Sequence, residues 1–293
     1  MKNKTGKKVL YYAILAILLG VFCFSGYQIY SYYSEQNASK SLNEEIVREY
    51  TIRKTGEAKE YFEVDFDQLR QQNEDVTAWL YLPDSVINYP VLQHGDNDYY
   101  LTRQIDGSYN KNGSIFMDYS NASDFSDRNT IIYGHHMRTG NMFGKLVNFK
   151  SDSYYQQHDH MFIMTPQVTY RLELLCGAVV EPDDPIYSID PTEEALAACM
   201  RRSTFQTKLD LPGEEARLVT LSTCSYEFED ARYIVIGVLT PLESIPLPAI
   251  EIPALVVSGG NITLAADQLK GTGSLIAQGP PTLYIPHHSY LYL

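Results

Sequence analysis

The stretch Leu218-Val219-Thr220-Leu221-Ser222-Thr223-Cys224 is an apolar, β-branched run that stops on a cysteine. A polar loop follows, Ser225–Ala231, and a second extended run begins at Arg232 and continues to Leu239. Two such runs joined by a short loop predict a hairpin, in which the end of the first strand lies beside the start of the second. That register makes Cys224 and Arg232 cross-strand neighbours. A thiol has an ordinary pKa of about 8.5, so only a few per cent is thiolate at neutral pH. A cation beside it favours the thiolate, or stabilises negative charge developing on a substrate carbonyl. A surface arginine and a buried cysteine that merely flank a loop would leave the same pattern.

Upstream, Thr130-Ile131-Ile132-Tyr133-Gly134-His135-His136-Met137 is a strand that delivers two histidines to its end, after a glycine that allows close backbone approach. Cysteine plus histidine is the minimum for a thiol nucleophile with an acid/base partner. Side chains alternate along extended backbone, so only one of the two histidines can face a given site. Sequence physics does not choose between them. His158 and His160 read as part of a solvated loop or helix face.

Eight short β-rich runs bounded by turn residues surround these motifs: Trp79–Leu82, Val86–Leu92, Ser114–Asp118, Thr130–Gly134, Met161–Met164, Val168–Val180, Arg217–Thr223 and Arg232–Leu239. With few long helices between them, they predict a mainly β domain closed as a barrel or paired as a sandwich. A short helix is expected near Phe66–Gln72. Another follows Asp190, which can cap it, with Pro191 at the first position and Glu193 completing a capping box. Leu196, Cys199 and Met200 share one face of that helix, so Cys199 reads as a small core hydrophobe.

The chain of 293 residues has room for one sizeable domain and an anchor. Residues 1–30 hold Lys2, Lys4, Lys7 and Lys8 and no acid; the remainder has 19 basic against 36 acidic residues, a net of about −17. Such an acidic body gives no electrostatic reason to bind nucleic acid. Residues 9–30 are 22 uncharged residues in a row, and as a helix they would span roughly 33 Å, enough for a hydrocarbon core. The preceding lysines of residues 1–8 place the N-terminus in the cytoplasm and the rest outside the plasma membrane. The exit Tyr27-Gln28-Ile29-Tyr30-Ser31-Tyr32-Tyr33 suits a membrane interface and lacks an Ala-x-Ala cleavage site, which favours a retained anchor over a cleaved signal. Residues 31–62 read as a helical stalk and 63–240 as the catalytic domain. Residues 241–293 carry only four charges and no periodicity, and read as a poorly ordered tail.

Cys23 falls in the apolar span, leaving Cys176, Cys199 and Cys224 for the exported domain. Three thiols cannot all pair, so at least one stays free. A Cys176–Cys199 disulfide is open, and nothing in the sequence demands it.

Thr220-Leu221-Ser222-Thr223-Cys224 resembles the Thr-Leu-x-Thr-Cys signature of the sortases. The arginine eight residues later and the upstream Tyr-Gly-His also match that family, over roughly residues 65–240. The N-terminal helix and the helix between strands six and seven resemble class B sortases. The resemblance implies a closed eight-stranded sortase-type β-barrel, with Cys224 as nucleophile, His135 as acid/base and Arg232 stabilising substrate and oxyanion. It also implies substrate contacts at Asn88, Leu92, Tyr133 and Ser222, and leaves Tyr187 without an assigned role. The implied partners are the sorting-signal peptide of a secreted surface protein and an amine acceptor on a peptidoglycan precursor or a protein, at the outer face of a Gram-positive-type cell. The implied reaction cleaves the signal after Thr through a thioacyl-enzyme, and no cofactor or metal is called for. Two rivals stay open: a Cys-His endopeptidase that only hydrolyses, and a silent surface-assembly scaffold.

Overall fold

The computed structural model of this chain describes residues 2–52 and 60–242. Eight strands close into a barrel, which we number β1 (Val76–Tyr81), β2 (Asn88–Leu92), β3 (Ile115–Met117), β4 (Asn129–Tyr133), β5 (His160–Met164), β6 (Thr169–Val180), β7 (Leu218–Cys224) and β8 (Arg232–Pro241). Around the barrel the order is β8-β6-β5-β1-β2-β3-β4-β7. Neighbours are antiparallel except β2 with β3 and β4 with β7. All eight expected strands are present, with ends moved by at most three residues. The largest move is at β1, where Val76, Thr77 and Ala78 extend the run forward. Every residue of β1 is buried, so the polar–apolar alternation that marks a strand start is missing there.

That burial on both faces explains the architecture. Ala78 and Leu80 point into the barrel with Val91, Ile132, Leu221 and Val235. Trp79 and Tyr81 point outward into a second cluster with Ile46, Tyr50 and Phe62. On β8 the same alternation sends Tyr233 and Val235 inward. Ile234 and Ile236 go outward against Leu196 and Cys199. An apolar strand with two buried faces needs a cover on its outer side, and helices supply it.

The first cover is helix α1 (Lys2–Tyr50), one uninterrupted helix that is long and apolar enough to cross a membrane. Residues 31–50 of the span read as a helical stalk continue the same helix. The helix runs on to Tyr50, and Ile46 and Tyr50 pack on the barrel. The polar character of residues 31–50 reflects a helix that touches the barrel along one narrow stripe. Helix α2 (Phe66–Gln72) falls where expected, with the Asp65 carboxylate accepting from the Gln68 amide at 3.0 Å.

Helix α3 (Glu193–Arg201) sits between β6 and β7 as expected, but its cap is different. Thr192 caps it, accepting from the Ala195 amide at 3.2 Å. Asp190 instead lies 3.6 Å from Arg128. Extended backbone at Thr192 leaves its hydroxyl in reach of the first turn, and Pro191 stays outside the helix. Leu196 and Cys199 are its buried residues. The Cys199 sulfur is 3.2 Å from that of Cys176, unbonded, and both are fully buried. That sulfur contact and burial push the Cys176 thiol pKa well up.

His160 opens β5 and is not in a solvated loop: its ring nitrogens meet Asp159 at 2.7 Å and Glu60 at 3.1 Å. At the other end of the domain β8 runs into the segment read as a tail, with Pro241 opposite Tyr170 and the Leu242 amide donating to Thr169 at 2.9 Å. The remainder of that segment, 243–293, lies outside the described residues.

Candidate active site

The β7–β8 hairpin forms with the expected register, and Arg232 is the direct partner of Cys224. The loop between them is closed by the Ser225 amide donating to the Ala231 carbonyl at 2.8 Å. Asp230 takes a left-handed φ of 58°, a conformation aspartate tolerates better than most residues. Nη1 of Arg232 donates to the Asp230 carbonyl at 2.8 Å, which holds the guanidinium at the head of the strand.

A tie through the buried Ser225 fixes this loop to the rest of the domain. Lys150 Nζ donates to Ser225 Oγ at 2.8 Å and to Glu227, and Ser225 Oγ donates to Glu227 Oε2 at 2.5 Å. The Lys150 contact first, and the Ser225 hydroxyl second, hold the Glu227 carboxyl at about 2. The residue after the nucleophile candidate is thus clamped.

Strand β4 brings the histidines to the same end. Because β4 and β7 are parallel and Tyr133 pairs with Ser222, the chain after Tyr133 runs alongside Thr223 and Cys224. The Thr223 hydroxyl donates to the Gly134 carbonyl at 2.8 Å. A Cβ on Gly134 would sit 2.7 Å from the Phe143 ring, so only glycine allows this approach. His135 Nε2 is 2.8 Å from the Leu101 carbonyl oxygen. A carbonyl only accepts, so Nε2 carries hydrogen and, in the neutral ring, Nδ1 holds the free lone pair. His136 turns elsewhere: its Nδ1 donates to the Cys224 carbonyl at 2.9 Å and its ring packs against Tyr226.

Cys224, His135 and Arg232 line one open cleft of about 280 Å³, together with Tyr133 and Ser222. Its other wall is Asn97, Asp98, Leu101 and Phe116. Behind that wall Asp118 accepts from Tyr133 at 2.9 Å, Asn97 at 2.8 Å and Ser120 at 2.6 Å. Burial works against the Asp118 charge, but the bonds from Ser120, Asn97 and Tyr133 outweigh it and lower its pKa. Burial and the neighbouring carboxylate raise that of Tyr133, which therefore stays a neutral donor to Asp118.

Asn88 and Leu92 do not line the cleft. Asn88 accepts the indole N–H of buried Trp79 at 2.7 Å, and its carbonyl accepts from Asn43 at 3.2 Å, on the α1 side of the barrel. Four residues of strand separate it from Leu92, roughly 13 Å. Leu92 is fully buried among outward-facing core residues and pairs with Phe116, so it backs the cleft wall and stays out of contact with it.

Tyr187 is the residue that sequence reasoning left unassigned. Its hydroxyl is 2.7 Å from Ser222 Oγ. Burial pushes its pKa up to about 12 against the opposing effects of the Ser222 bond and the Arg232 charge, with Asp184 and Cys224 adding to the rise. Asn129 delivers it: this fully buried amide donates to the carbonyls of Ile186 at 3.1 Å and Ser188 at 2.9 Å and accepts from Thr220 at 2.8 Å. An asparagine buried in a strand next to a Thr-rich motif was the available signal for this anchor.

Comparison with known proteins agrees with the geometry. Residues 80–240 match the family model described as the Sortase domain. Sortase B of Listeria monocytogenes is 31% identical over 241 residues, covering 78% of this chain and 95% of the relative. The Staphylococcus aureus sortase B–substrate complex superposes with a TM-score of 0.57 at 28% identity, covering 61% of this chain and 85% of that one. A sortase B complexed with triglycine gives the same TM-score and identity, over 61% and 86% of the two chains.

Proposed function

Since this chain belongs to the sortase family, and within it to class B, we propose that it is a membrane-anchored cysteine transpeptidase which cleaves a C-terminal sorting signal after Thr and transfers the protein to an amine. The observation that carries this reading is the single cleft lined by Cys224, His135 and Arg232.

In this mechanism Cys224, its proton passed to His135, attacks the carbonyl carbon of the Thr itself, and the charge developing on oxygen falls beside the Arg232 fork. His135 gives a proton to the leaving amine, and a thioacyl-enzyme remains. An amine then displaces sulfur with His135 as base. Tyr133 and Ser222 are the wall residues proposed to touch the peptide, with Tyr187 orienting the Ser222 hydroxyl. Leu92 supports the wall through Phe116, and Asn88 serves the Trp79 indole. The substrate complex and the triglycine complex of sortase B relatives support a sorting peptide and a primary amine as the two partners here. The acceptor belongs to a peptidoglycan precursor or another protein. Helix α1 holds the domain outside the plasma membrane, so that enzyme, sorting signal and acceptor share one plane. No cofactor enters these steps.

The test is mass spectrometry of the full chain with a panel of sorting-signal peptides, with and without triglycine. Ligated product that requires triglycine is expected; hydrolysis alone across the panel would favour an endopeptidase.

A further inference from the structure

The ring of His135 borders two hollows. One is the cleft that contains Cys224. The other is a groove of about 480 Å³ between helix α1 and the loop that follows β4. Ser31, Tyr32 and Glu35 of α1 form one side of it, and His135, Arg138 and Tyr226 the other, with Lys111 at one end.

This groove is built into the fold. Gln36 is buried, its Nε2 donates to Asn112 Oδ1 at 3.1 Å, and its Oε1 accepts from Thr139 at 3.2 Å. Asn110 donates to the Glu35 carbonyl at 3.1 Å. Helix and loops are therefore held in register at this point. The groove carries both charges: Glu35 lies 3.7 Å from Lys111, and Arg138 is a second cation on its lining. It also begins within one turn of Tyr30, the last residue of the uncharged run.

A thioester in the first cleft must be reached by a second substrate while the sorting peptide still fills that cleft. The groove is a second hollow that His135 lines, and it gives such a substrate a place beside the same residue. We propose that this groove binds the amine acceptor, a primary amine carried on an anionic precursor at the membrane surface, with the amine toward Glu35 and His135 and the anionic group toward Arg138. The inference rests on the transpeptidase reading above. In the transfer step the amine nitrogen bonds to the thioester carbonyl carbon and the C–Sγ bond breaks, its electron pair leaving on sulfur. The proton lost by nitrogen passes through the imidazole to the Cys224 thiolate. Holding the amine there raises its effective concentration against water, which a bare thioester would not discriminate. The anchor helix, in this account, is part of the acceptor site.

The experiment measures the ratio of ligated to hydrolysed product for the full chain in lipid nanodiscs, over a series of triglycine concentrations. Ser31→Trp, which fills the groove, and Glu35→Gln, which removes its anion without changing size, are each expected to lower that ratio about tenfold by raising the KM for triglycine. Arg138→Ala should weaken triglycine but not triglycinamide, which lacks the carboxylate. A parent-like ratio in both Ser31→Trp and Glu35→Gln would overturn the groove. A parent chain that never acylates Cys224 would instead overturn the transpeptidase reading, and the groove with it.

Discussion

Strand β8 touches two kinds of thiol. At its first residue Arg232 pairs with Cys224, and four residues on Ile236 pairs with Cys176. Cys224 is partly exposed at a strand end, in an open cleft beside a guanidinium and an imidazole. Cys176 has no exposed surface, and its neighbours are Cys199 and aliphatic side chains. Here the thiol contact and burial disfavour ionisation. The same side chain on one sheet becomes a nucleophile candidate or a packing element according to where the strand ends.

That contrast can be broken at several points. Cys224→Ala should cost at least about a thousandfold in both cleavage and transfer, measured as peptide turnover. Cys176→Ala should keep turnover and lower stability by about 1–3 kcal/mol, read from denaturant midpoints. Reversal of the two phenotypes would exchange their roles. Among the histidines, His135→Ala is expected to lose about 10²–10⁴-fold in turnover, while His136→Ala, which loses one bond to the Cys224 carbonyl, should lose less than about tenfold. Equal losses would mean that the two rings act as one unit.

Arg232→Lys should fall by about 10–100-fold in kcat/KM, because a point charge cannot reproduce the planar donor fork; a parent-like rate would remove Arg232 from the chemistry. Asn129→Ala should destabilise the domain by about 2 kcal/mol, since two carbonyls and the Thr220 hydroxyl lose a buried partner. Chemical denaturation measures it, and no change would mean that the Tyr187 turn is held by other contacts. The smallest effect is with pH. Glu227 has a lowered pKa, so its clamp is complete above the ordinary value of about 4.3, and is lost as pH falls from there through about 2. NMR signals of the 225–231 amides should shift over that window in the parent, and at higher pH in Lys150→Met, where the largest cause of the lowering is gone.

Much of this was legible in the chain. The strands announced themselves because β-branched runs end at turn residues, and the hairpin register followed from the length of the Ser225–Ala231 loop. Residues that reach the cleft from distant loops were not legible. Asn97, Asp98, Leu101 and Tyr187 arrive through barrel closure, which a linear reading cannot measure. Nor was the direction of the two histidines: alternation says they diverge, and only the parallel β4–β7 pairing says which way. Leu92, which only the family resemblance placed at the groove, sits on a strand buried along nearly its whole length and outside the cleft lining.

The most direct measurement is to quench the full chain with its sorting-signal peptide in acid and map the acyl adduct by peptide mass spectrometry. The account predicts a thioester on Cys224 and none on Cys23, Cys176 or Cys199. An adduct on another cysteine, or turnover that persists in Cys224→Ala, would contradict it.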